Sequence, residues 1–132
     1  HGGRPLRRDL DGGDQPMTIY QGSCHCGQTR FEVDGEITGA MACNCSMCRR
    51  KGTLMWFVGR EQLRLHTPDD TLATYLFNRH VIRHRFCPVC GIHPFGEGTD
   101  PAGRAMAAVN IRCLDGVDLD AVPVQHYDGL AA

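Results

Sequence analysis

A mostly β domain of antiparallel sheets is the fold class this sequence predicts, and three observations predict it. Short apolar runs recur between turn signals, only two segments read as helical turns, and seven of the eight cysteines fall into close clusters suited to knuckles that pin sheets together.

The elements follow in order. Thr29 to Val33 alternates so that Phe31 and Val33 share one face, the period-2 mark of a half-buried strand. Leu54 to Val58 is a compact apolar run, and Leu72 to Phe77 carries aromatic and β-branched residues; both predict strands, with Trp56, Phe57 and Phe77 in the core. Val81 to Phe86, Ala105 to Ile111 and Val124 to Tyr127 complete the strand candidates. Gly96 to Gly103, reading GEGTDPAG, is a loop by composition. Helical turns are expected only in Gly59 to Leu65 and Asp118 to Val122.

At 132 residues with 42% hydrophobic content, the chain suits a single domain with a real core. Its first sixteen residues, HGGRPLRRDLDGGDQP, are polar and rich in glycine. They read as an expression tag or upstream extension, disordered unless packed, with the domain itself over 17–132 and Met17 as the natural start. This stretch lacks the apolar centre of a secretory signal, so abundant cysteine points to metal-bound thiolates in a reducing cytoplasm. No apolar run is long enough to span a bilayer, which excludes a helical membrane protein. A formal charge of -1 gives no global basic field for nucleic acid, and one basic triplet without an aromatic ladder is a thin footprint.

The chemistry lies in the cysteines: Cys24-x-Cys26, Cys43-x-Cys45-x-x-Cys48 and Cys87-x-x-Cys90. A short chelate loop directs two soft sulfurs at one ion, so repeated close pairs in a small domain fit tetrahedral zinc better than a disulfide framework. Gly22 and Gly27 flank the first pair; in the last, Pro88 stiffens the turn and Gly91 is expected at positive φ. Joining the two pairs gives one closed structural zinc site. Seven ligands leave three over, and Cys43, Cys45 and Cys48 suit a second, three-sulfur face with an open fourth position. The alternative is a second closed site completed by Cys113 or by His25, His93 or His126. Arg49, Arg50 and Lys51 follow this cluster, and their charge either attracts an acidic ligand or forms a solvated face. Cys113, with no neighbouring cysteine, reads as a small buried core thiol that binds no metal.

In these motifs, C-x-C-G, C-x-C-S-x-C with its basic tail, C-x-x-C-G and the later NIRCLDG segment, the chain resembles the glutathione-dependent formaldehyde-activating enzyme family, also called the centromere protein V/Gfa family. The resemblance implies an Mss4-like fold, a tent of antiparallel sheets, with Cys24, Cys26, Cys87 and Cys90 on structural zinc and Cys43, Cys45 and Cys48 on catalytic zinc. It also implies carbon–sulfur lyase chemistry on a thiol–aldehyde adduct such as S-hydroxymethylglutathione, with glutathione or a similar thiol as co-substrate. Arg49 and Arg50 are then the expected partners of the thiol's carboxylates. Two other readings stay open: a non-catalytic zinc scaffold or thiol carrier, and a methionine sulfoxide reductase using Cys113.

Overall fold

The computed structural model describes residues 18–77 and 82–128. The proposed extension, Val81 and the Phe77 side chain lie outside the described residues. The architecture is mostly β, in two sheets. The smaller holds β1 (Ile19–Ser23), β2 (Arg30–Asp34) and β5 (Leu63–Leu65) in the order β1-β2-β5, all antiparallel. The larger has seven strands: β3 (Ala40–Cys43), β4 (Met55–Gly59), β6 (Ala73–Phe77), β7 (Ile82–Phe86), β8 (Phe95–Thr99), β9 (Ala105–Asn110) and β10 (Val124–Tyr127). Their order is β10-β3-β4-β9-β8-β7-β6. Every pair is antiparallel except β10 on β3, which is parallel, so the larger sheet is mixed.

The core lies where side chains of the two sheets meet. Phe31, Val33 and Leu63 of the smaller sheet join Trp56, Val58, Phe95, Ala107 and Val109 of the larger in one buried cluster. The Phe31 and Phe95 rings pack edge to face with centroids 5.9 Å apart, and Tyr20 meets Trp56 in the same way at 5.8 Å. Gly22 lies where β1 crosses this cluster, and a Cβ there would collide with the Phe31 ring and the Leu114 side chain.

Several expectations need correction. Phe57 is 48% exposed, because alternation along β4 turns Trp56 and Val58 inward and Phe57 outward. Residues 96–99, expected as loop, belong to β8, which hydrogen-bonds to both β7 and β9. Only Asp100 to Gly103 form the turn there, closed by the Gly103 amide donating to the Asp100 carbonyl. The segment from Gly59 divides into a 3-10 turn, Arg60–Gln62, followed by β5. Another 3-10 turn, Leu119–Ala121, lies within the second helical segment. Strands β1 and β3 and the short helix α1 (Cys48–Lys51) lack a sequence signal strong enough to be read.

Candidate metal and ligand site

The first cysteine group forms where the two sheets meet. Cys24 and Cys26 follow β1 directly, and Cys87 and Cys90 follow β7. All four Sγ atoms lie within 4.8 Å of one another. Cys26 Sγ is 3.7 Å from Cys24 Sγ and 3.6 Å from Cys87 Sγ. A tetrahedron with metal–sulfur bonds of roughly 2.3 Å sets its sulfurs roughly 3.8 Å apart, so this cage fits a soft divalent ion. The Thr29 amide donates to Cys24 Sγ at 3.4 Å, and the Gly91 amide closes the knuckle on the Cys87 carbonyl at 2.8 Å. Gly91 takes φ 81°, the left-handed conformation this turn requires. Desolvation works against the Cys90 thiolate, but the Cys26 and Ile92 amides and the Cys87 and Cys24 thiols bring its pKa down to about 6.

The second group comes from one loop. Cys43 ends β3 and Cys48 opens α1, with Cys45 between them, and the three Sγ atoms again lie within 4.8 Å of one another. Backbone amides turn onto the sulfurs: Cys45 N–H donates to Cys43 Sγ at 3.4 Å, and Cys48 N–H to Cys45 Sγ at 3.3 Å. Burial and the neighbouring Cys45 and Cys43 sulfurs push the Cys48 thiol up to about 12. Against the opposing effect of burial, the Cys48 amide and the Cys48 and Cys43 side chains hold Cys45 below the ordinary thiol range. Three crowded thiols cannot all ionise without a compensating cation, and this donor set therefore suits a metal ion as well.

None of Cys113, His25, His93 or His126 joins either group among the described residues. Cys113 Sγ lies 3.6 Å from Asn110 Nδ2 and packs against the core, where burial raises its pKa to about 12. That environment opposes thiolate chemistry and disfavours the reductase reading. His126 instead lines a small recess of about 280 Å³ with Cys43, Asn44 and Asp128, where Asn44 Nδ2 donates to Asp128 Oδ1 at 3.1 Å.

A larger cleft of about 650 Å³ opens between the three-cysteine loop and the Cys87–Gly91 knuckle. Ser46, Met47, Arg50, Lys51, Tyr75, Phe86 and Gly91 line it; Arg49, the other expected ligand contact, is not among them. Arg50 Nη1 donates to the Ser46 carbonyl at 2.7 Å, which ties the guanidinium to the cleft wall. Lys51, which the sequence places in the basic run with Arg49 and Arg50, is exposed as a residue, yet its ammonium turns inward. It lies 3.2 Å from Nδ1 of buried His93 and 5.7 Å from the Phe86 ring. No sequence spacing announces this contact, since the two residues are 42 positions apart.

The family model described as glutathione-dependent formaldehyde-activating enzyme matches residues 19–127, nearly all of the described chain. Among solved structures, the crystal structure of a Rhodobacter sphaeroides protein is 32% identical and superposes with a TM-score of 0.68, covering 80% of this chain and 99% of the other. Among the described residues, no helix is long and apolar enough to cross a membrane.

Proposed function

The chain belongs to the glutathione-dependent formaldehyde-activating enzyme family, and from that premise we propose that it is a zinc-dependent carbon–sulfur lyase acting on an S-hydroxymethylglutathione-like adduct. In this reading Cys24, Cys26, Cys87 and Cys90 hold a structural zinc, and Cys43, Cys45 and Cys48 hold a second one. The observation that carries it is the three-sulfur cluster beside an open cleft, with no fourth ligand from the chain among the described residues. A closed site stabilises a fold, whereas a three-ligand site leaves a position for substrate.

Bound at Cys43, Cys45 and Cys48, zinc would supply a soft Lewis acid that keeps a small thiol ionised at neutral pH. The protein's own part is positional. The Cys45 and Cys48 amides aim the sulfurs, and Arg50 offers a cation to a carboxylate of the thiol. Cleavage of the adduct breaks its carbon–sulfur bond: the hydroxyl proton is lost, the carbonyl of the aldehyde forms, and the bonding pair leaves with sulfur as thiolate. The reverse reaction is addition of that thiolate to the aldehyde.

Replacement of Cys48 by serine tests the assignment. Circular dichroism should show an intact fold, and aldehyde release from S-hydroxymethylglutathione should fall by at least about 100-fold, as loss of a positioning group in a catalytic constellation commonly does. Unchanged release, or a collapsed fold, would place the chemistry elsewhere.

A further inference from the structure

We propose that Lys51, braced by His93, is the specificity-determining residue of the cleft and selects thiols that carry a carboxylate; this inference deepens the proposed function and rests on it for the identity of the reaction. Its first support is charge balance. Among the described residues, the cleft is lined by two cations, Arg50 and Lys51, and by no carboxylate. Five other arginines are matched to acids: Arg64 with Glu32 and Asp34, Arg104 with Glu61, and Arg60, Arg83 and Arg85 with Glu97. This pair of cations offers an anionic ligand charge-assisted hydrogen bonds, with no described acid on the cleft wall to compete for them.

The second support is how the ammonium is held. His93 is buried, and its carbonyl accepts from Asn110 Nδ2 at 3.0 Å, which fixes its backbone against β9. Desolvation, Lys51 and His84 hold its pKa near 3, so the imidazole is neutral and Nδ1 accepts from Lys51 Nζ. One of the three lysine donors is used there, leaving two for a ligand. The Phe86 ring lies near the same ammonium, and Tyr75 and Met47 give the cleft apolar surface for the rest of the molecule. A flexible lysine is thereby pre-positioned before ligand arrives, which reduces the ordering cost of binding. Arg49, from the same basic run, has no place on the cleft wall.

The test uses S-methylglutathione, which has both carboxylates but no thiol to offer a metal, titrated into the zinc-loaded protein by calorimetry. The parent should bind it, more weakly as salt is raised. Lys51→Met should weaken binding by about tenfold, the usual worth of a charge-assisted hydrogen bond, while Lys51→Arg retains most of it. In turnover, Lys51→Met should raise KM for S-hydroxymethylglutathione by a similar factor and leave KM for the hydroxymethyl adduct of 2-mercaptoethanol unchanged. Absence of binding by the parent, salt-insensitive binding, equal binding by Lys51→Met, or equal loss on both substrates would overturn the proposal. Binding with the expected Lys51 dependence but no turnover of either adduct would support the carboxylate site and remove the lyase assignment.

Discussion

The imidazole of His93 meets the Lys51 ammonium of α1 at 3.2 Å and the His84 ring of β7 at 5.7 Å, while the His93 carbonyl accepts from Asn110 of β9 and from the Cys113 thiol. Burial and the adjacent cation both oppose its protonation, giving a folded pKa of about 3. An unfolded histidine titrates near ~6.5, so below that pH the unfolded chain takes up the proton that the folded chain refuses. The contribution of neutral His93 is therefore full above about pH 6.5 and is lost as pH falls toward about 3. By pH 5 this linkage costs roughly 2 kcal/mol. His93→Gln removes it, so a stability gap favouring the parent in urea unfolding at pH 7.5 should narrow by about that amount at pH 5, with zinc content matched. A gap independent of pH would mean that His93 titrates in the folded protein as it does in the unfolded chain.

Strand β8 shows how an element is stabilised by charge rather than by apolar pattern. Glu97 is 7% exposed and receives three arginines: Arg60 Nε at 2.7 Å, Arg83 Nη2 at 2.7 Å and Arg85 Nη1 at 3.0 Å. Arg85 is itself buried, and its other strong partner is Asp69 at 3.0 Å. Burial opposes the Glu97 carboxylate, yet Arg60 and Arg85 hold its pKa below the usual range. Glu97→Gln leaves a buried guanidinium undercompensated and should cost about 3–5 kcal/mol in urea unfolding. A loss under about 1 kcal/mol would show that Asp69 and solvent suffice. This strand escapes a sequence reading because glycines at 96 and 98 resemble a loop, and the acid's partners lie on β7 and in the turn after β4. Strands β2, β4 and β9 were legible because their own alternation or apolar content carries the signal.

At the scale of the molecule, the four-sulfur cage ties the end of β1 in one sheet to the end of β7 in the other. Metal binding at such a site is worth on the order of 10 kcal/mol, comparable to the net stability of a whole domain. Cys87→Ala should therefore yield an unfolded or aggregated chain by circular dichroism and gel filtration, unlike Cys48→Ser. A folded, monodisperse Cys87→Ala protein would refute a structural role for the cage. What the sequence by itself determined is local: cysteines two or three residues apart must share a chelate loop, alternating residues must take opposite faces of a strand, and seven clustered sulfurs divide into four and three. Only the tertiary structure decided the parallel pairing of β10 with β3, the outward turn of Phe57, the burial of Glu97 among arginines, and the meeting of Lys51 with His93. Those depend on summed burial and charge balance between segments distant along the chain, for which no short window of sequence carries the information.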